Sequence, residues 1–369
     1  MVDADGLSFR GVFRLLAGDL GQAVTDLAAS LKLARRGATL TLGLRPYSYL
    51  ALAQYLAGAW DDVLLTADHG FSAAVIHPRY YELPLLHLAA GCVPAGRGQA
   101  EEAGRHAALA EEAAASLGYA QERVYAAMAR ALVCQGSGDY PGMADALGPW
   151  QDDAALDSRS RMYAVLWRPL LAEGLLGSGQ ADRAAAVVAR LAAGSGQVGY
   201  LAPALAWLEG WLAELRGAPQ EALRAYQRGE DTGHADSPVY TARLLLAHGR
   251  LLRRTGNRKD AAGRLRRATT LFAGLRAAPF LARAEEELAA CGLRRQHATP
   301  RSALEMTDRE TEVAHLAGQG MTNAEIAAEL FITPKAVEDH LGNIYAKFAV
   351  KGRHQLRRLL DDSRRPAPA

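Results

Sequence analysis

"LLLAHGRLLRRTGNRKDAAGRLRRATTLF", residues 244–272, reads as two helices joined at one glycine. Leucines and alanines recur at helical spacing on both sides of Gly256, and glycine takes the left-handed conformation that ends a helix without a steric cost. The same punctuation returns along the chain. A glycine followed five positions later by a small or apolar residue gives "GDLGQA" at Gly18, "GAWDDV" at Gly58, "GQAEEA" at Gly98, "GDYPGM" at Gly138, "GQADRA" at Gly179, "GAPQEA" at Gly217 and "GNRKDA" at Gly256. The spacings are 40, 40, 40, 41, 38 and 39 residues. About seven helical hairpins are therefore predicted over residues 1–292. No hairpin buries its apolar side alone, so neighbours must stack into a superhelical solenoid with a continuous core. The small residue after each turn is expected where two antiparallel helices come closest.

Composition agrees with an all-α chain: half of the 369 residues are hydrophobic, alanine and leucine dominate, and β-branched runs are few. The formal net charge is only +2. Its distribution is uneven, because residues 243–301 carry fourteen arginines and lysines against four acids, a pattern of solvated helix faces or of proximity to a nucleic-acid backbone. The N-terminus lacks a basic, apolar signal region and no apolar run reaches spanning length, so a cytoplasmic, nucleoid-associated protein without membrane contact is expected. Cys92, Cys134 and Cys291 are odd in number and far apart, which predicts buried thiols and no metal site. Aromatic residues, among them Trp60, Tyr80, Tyr81, Trp150, Tyr163, Trp167, Trp207, Trp211 and Tyr240, are expected mostly in the core. Trp207 and Trp211 lie one turn apart and are the candidates for a ligand groove on the concave side.

The period and turn pattern resemble tetratricopeptide-type repeats, in the longer form found in the sensory domains of MalT-like regulators. A helical scaffold without ligands remains an open alternative at this point.

The repeat ends near Gly292, and residues 293–303, "LRRQHATPRSA", read as a linker. Three helix starts follow closely. "TDRE" (307–310) and "TNAE" (322–325) are capping boxes, Thr333-Pro334 supplies a hydroxyl cap and a preset first helical residue, and Gly320 marks a stop. Apolar positions Val313, Leu316 and Ala317, then Ile326, Ala327 and Leu330, then Val337, Leu341, Ile344 and Phe348 fit a small bundle. If the last set points inward, Lys335, Glu338, Asp339, Gly342 and Ala346 point outward. A short helix, a tight turn and a helix with a polar outer face suit a helix-turn-helix entering a major groove, although periodicity alone also allows an ordinary three-helix bundle.

"MTDRETEVAHLAGQGMTNAEIAAELFITPKAVEDHLGNIYAKFAVKGRHQL", residues 306–356, resembles the LuxR-type DNA-binding domain over nearly its full length. The resemblance implies a four-helix domain over 304–362, followed by a disordered tail at 363–369. Its third helix would read the major groove, with Lys335, Glu338, Asp339 and Gly342 facing bases and Thr322, Asn323, Thr333, His340, Asn343 and Lys347 meeting the backbone. A fourth helix carrying Arg353, Leu356, Leu359 and Leu360 would form a dimer contact. The sequence departs from the family's pattern at Gly352, Ala336 and Phe348-Ala349. Acids on a reading helix select bases by accepting hydrogen bonds from cytosine's amine, while Lys335, Lys347, Lys351, Arg353, Arg357 and Arg358 supply the charge for phosphates.

Large ATP-binding LuxR regulators carry a nucleotide-binding domain before their repeats. No lysine here follows a glycine, so no phosphate loop exists and no cofactor is expected; the chain looks like the C-terminal half of such a regulator. No nucleophile motif accompanies the paired acids, and an enzyme is not expected. The reading is a sequence-specific transcriptional regulator, a homodimer on an inverted-repeat operator in double-stranded DNA, contacting RNA polymerase. Its repeat domain would sense a small-molecule or protein effector. The alternative is a protein-interaction adaptor whose terminal domain touches RNA polymerase or another regulator without reading DNA.

Overall fold

The computed structural model describes residues 3–35, 43–75, 81–152, 163–194, 198–232, 237–292, 308–330, 332–348, 350, 352–353 and 355–357. Every regular element among them is helical. The chain divides into two compact units, Met1–Leu293 and Arg294–Ala369. The predicted linker and tail, the cap at Thr307, and Tyr80 lie outside the described residues.

Among the described residues, the first unit holds seven hairpins and one further helix. They pair as α1 (Ala4–Ala17) with α2 (Leu20–Arg35), α3 (Arg45–Leu56) with α4 (Trp60–Ala74), α5 (Leu83–Arg97) with α6 (Ala100–Leu117), and α7 (Ala120–Ser137) with α8 (Tyr140–Leu147). Then follow α9 (Ala164–Gly177) with α10 (Ala181–Gly194), α11 (Ala202–Leu215) with α12 (Pro219–Asp231), α13 (Pro238–Arg254) with α14 (Arg258–Gly274), and α15 (Ala278–Ala290) alone. All seven predicted glycines hold positive φ, between 71° and 95°. At Gly18 the two hydrogen bonds that close such an ending are both present: Gly18 N donates to Leu15 O and Asp19 N to Arg14 O. Five residues beyond the glycines, Ala23, Val63, Ala103, Met143, Ala184, Ala222 and Ala261 are each 1% exposed or less. Small or apolar side chains there let the paired helices approach.

The two helices of a hairpin differ in kind. The first is buried on nearly every side, as α9 shows from Leu166 to Leu176, which is the behaviour of a helix apolar all round. The second is amphipathic: α12 buries only Ala222, Ala225, Tyr226 and Gly229, one stripe at helical spacing. The first helices therefore form the inner layer and the second helices the outer.

A simple solenoid touches only its neighbours. This one also closes on itself. A methyl group added to Gly18 would lie 2.5 Å from Gly199 N, one on Gly58 would lie 2.9 Å from Pro238 and one on Gly98 would lie 2.9 Å from Pro279. Each contact spans about 180 residues, four and a half repeats, and Arg276 reaches Asp61 at 3.3 Å across the same seam. The superhelix thus completes a tight turn, and its concave side is not the open groove that the repeat alone suggests. Buried side chains occupy most of it, among them Trp167, Tyr163, Trp207 and Tyr49, whose hydroxyl lies 2.9 Å from that of Tyr125. Of the three thiols, Cys92 and Cys291 are buried as expected, whereas Cys134 is only half-buried.

Candidate nucleic-acid interface

The second unit contains α16 (Asp308–Gly318), α17 (Asn323–Leu330) and α18 (Pro334–Lys347). Gly320, at φ 92°, ends the first of these, and Met321 N donates to Leu316 O. The next helix opens with the predicted capping box: Thr322 N donates to Glu325 Oε2 at 2.7 Å and Glu325 N to Thr322 Oγ1 at 3.3 Å. Those bonds from Thr322 hold the Glu325 carboxyl below its usual pKa. Ala336 N donates to Thr333 Oγ1 at 3.1 Å, so the hydroxyl cap of α18 is formed as well.

The apolar stripes point as the spacing predicts. Val313, Ala317, Ile326, Ala327, Val337, Leu341 and Ile344 are at most 4% exposed, with Leu316, Leu330 and Phe348 half-buried around them. That packing turns Lys335, Glu338, Asp339, Gly342 and Asn343 outward, and all five are exposed. Together with Thr322, Asn323 and Arg353 they line one open groove. Lys335 Nζ sits 3.2 Å from Glu338 Oε2 and 3.3 Å from Asp339 Oδ1. The hydrogen bonds to Glu338 and then Asp339 raise the ammonium's pKa, so it stays charged throughout the neutral range. The strip is therefore a zwitterionic cluster that water already solvates, and a base or phosphate can exchange with either sign of charge.

Other expected site residues fall elsewhere. His340 is buried, 9% exposed, and packs in the bundle rather than joining the outward strip. Ala336 is buried too, so a larger residue there would meet the core before it met a phosphate. Leu356 is 0% exposed and belongs to its own domain's interior, which corrects its assignment to a dimer surface. Arg353 is likewise engaged inside the domain: its guanidinium donates to Met321 O and, at 2.5 Å, to Asn323 Oδ1. This tie was not foreseen. It fixes the Asn323 amide so that its NH₂ end remains free to donate outward. Leu359, Leu360 and the side chain of Lys347 lie outside the described residues.

In the repeat unit, Trp207 and Trp211 do share a face, with ring centroids 6.0 Å apart. Trp207 is buried and Trp211 half-buried, and both line a pocket of about 190 Å³.

Residues 304–360 match the family model described as bacterial regulatory proteins, luxR family. The spore germination protein GerE of Bacillus subtilis (strain 168) is 50% identical over 50 residues, covering 14% of this chain and 68% of that protein. The transcriptional regulatory proteins LnrK and LiaR of the same organism are each 45% identical, over 56 and 60 residues; the matches cover 15% and 16% of this chain but only 26% and 28% of those proteins. Among solved structures, a tetratricopeptide repeat protein from Parabacteroides merdae aligns over 79% of this chain and 99% of its own, at 15% identity and a TM-score of 0.43. On the C-terminal match, with two thirds of GerE covered at half identity, the chain belongs to the LuxR family of bacterial regulatory proteins.

Proposed function

We propose that the protein is a sequence-specific transcriptional regulator that reads DNA with α18 and regulates that reading through its helical repeats. One observation carries the proposal: the buried stripe of α18 leaves Lys335, Glu338, Asp339, Gly342 and Asn343 together on an unpacked face. A helix of that character fits a major groove, with Thr322 and the free end of Asn323 placed at its edge for the phosphate backbone. Two such heads on an inverted-repeat operator would bind half-sites about 10 base pairs apart, one turn of the duplex. RNA polymerase is the partner through which such a complex would act.

The acids give selectivity and the cations give affinity. Glu338 accepts from a cytosine amine when it leaves Lys335, and Lys335 then turns to a phosphate or a purine edge. Mobility shift on promoter fragments is expected to show retardation that depends on sequence and weakens steeply with salt. Site selection from random DNA with Glu338→Ala should lose about 1–3 kcal/mol of discrimination at one base pair, with non-specific binding unchanged or stronger. Unaltered base preference would remove Glu338 from the reading face. A complete lack of salt-sensitive retardation would leave the adaptor function instead.

A further inference from the structure

The inner face of the repeat unit is not filled throughout. Between α9, α11, α13 and α15 lies the pocket of about 190 Å³ that Trp207 and Trp211 line. It meets a smaller, largely apolar cavity of about 40 Å³ at Glu173, Trp207 and Arg243, which border both. Two kinds of group face the larger space. The two tryptophans, with Tyr140 edge-on to Trp211 at 5.7 Å, give it a flat apolar wall. Arg250 and Arg283 give it charge, and neither guanidinium has a carboxylate partner among the described residues.

Two of the three acids nearby are already committed. Glu173 accepts from Arg243 at 2.5 Å and Glu287 from Arg253 at 2.7 Å, while Glu286 stands unpaired on the exposed rim. Arg250 Nε, at this pocket, is shielded from solvent without an acceptor. A shielded donor without an acceptor carries its full desolvation cost, which the oxygen of an entering anion would relieve. The space itself exceeds the roughly 150 Å³ in which an apolar cavity holds a benzene ring.

We propose that this pocket binds a small aromatic carboxylate, its ring on Trp207 and Trp211 and its carboxylate between Arg250 and Arg283. The inference rests on the reading of the repeats as the regulatory half of the protein, and it assigns that half a ligand class.

Benzoate is the probe, titrated calorimetrically into the full chain, with benzyl alcohol and acetate as the neutral and ringless controls. Benzoate is expected to bind saturably and roughly tenfold or more tightly than either control, because only it makes both contacts. Arg283→Gln should weaken it by roughly tenfold without shifting the thermal midpoint, Trp211→Leu should weaken it by a similar factor, and Arg283→Lys should restore part of the affinity that Arg283→Gln loses. Benzoate no tighter than acetate, or unchanged by Arg283→Gln, would overturn the site. DNA retardation on the same preparations separates the two proposals: DNA binding without benzoate binding removes only the pocket, and benzoate binding without DNA binding removes only the DNA-reading function.

Discussion

Arg353 shows what a single side chain decides in the C-terminal unit. Its two donated bonds join the start of the fourth helical segment to Met321 and Asn323, the entry of α17, thirty residues earlier. Hydrogen bonds from a charged donor contribute about 1.5–3 kcal/mol, so Arg353→Ala should speed amide exchange in α17 by roughly 10- to 150-fold. Arg353→Lys should restore only part of this, since an ammonium cannot present a fork to both acceptors. Exchange measured by mass spectrometry checks it, and equal rates in all three proteins would show the tie to be idle. Nothing in the spacing of the sequence points to this bond, because a guanidinium's reach is independent of helical period. The outward strip was legible for the opposite reason: once Val337, Leu341 and Ile344 are inside, geometry leaves Lys335, Glu338, Asp339 and Gly342 no other face. The same geometry carries His340 inward, since it lies beside Ile344 around the helix, at the border of the buried stripe; its expected backbone contact came from the resemblance and not from this spacing.

At the level of elements, the glycine turns were readable because each needs a backbone that other residues reach only with strain. What the turns touch was not readable, since contacts 180 residues apart leave no local trace. The two properties can be separated. Gly217 has φ 71° and open space around it, whereas Gly58 has φ 82° and Pro238 beside it. Gly217→Ala should cost about 1–2 kcal/mol, the strain of a left-handed residue alone. Gly58→Ala adds overpacking of about 1–3 kcal/mol against the seam. Denaturant unfolding followed by tryptophan fluorescence measures both, since all five tryptophans lie in the repeat unit; equal losses would mean that the seam yields freely. A second element-level effect lies between α5 and α6, where His87 Nδ1 and His106 Nδ1 are 3.2 Å apart beneath Phe71. Burial, then the neighbouring His106, depresses the His87 pKa from 6.5 to about 4, and burial also depresses that of His106. The unfolded chain takes up protons first as pH falls below 6.5, so this pair's contribution is intact above that pH and declines toward pH 4. The denaturation midpoint should fall across that window, and less so in His87→Phe; parallel curves for the two proteins would exclude the pair as the cause.

Across the whole repeat unit, one buried ion pair joins what the sequence keeps far apart. Glu173 on α9 accepts from Arg243 on α13 and, at 2.5 Å, from Gln135 on α7, while Arg243 lies over the rings of Trp207 and Phe280 at 4.9 and 4.6 Å. Burial opposes the charge on Arg243, but the carboxylate of Glu173 more than offsets it and holds the guanidinium's pKa above its ordinary value. Removing one partner of such a pair strands the other in the interior, at about 3–5 kcal/mol. Glu173→Gln should therefore destabilise the repeat unit by that amount. In a solenoid with only nearest-neighbour contacts the damage would stay near its origin. Here the seam from Gly18 to Val198, from Gly58 to Pro238 and from Gly98 to Pro279 ties early hairpins to late ones. Loss at Glu173 should accordingly raise hydrogen exchange in α3, α5 and α11 together with α9 and α13. Exchange that rises in α9 and α13 alone would show that the superhelix closes in shape but unfolds repeat by repeat.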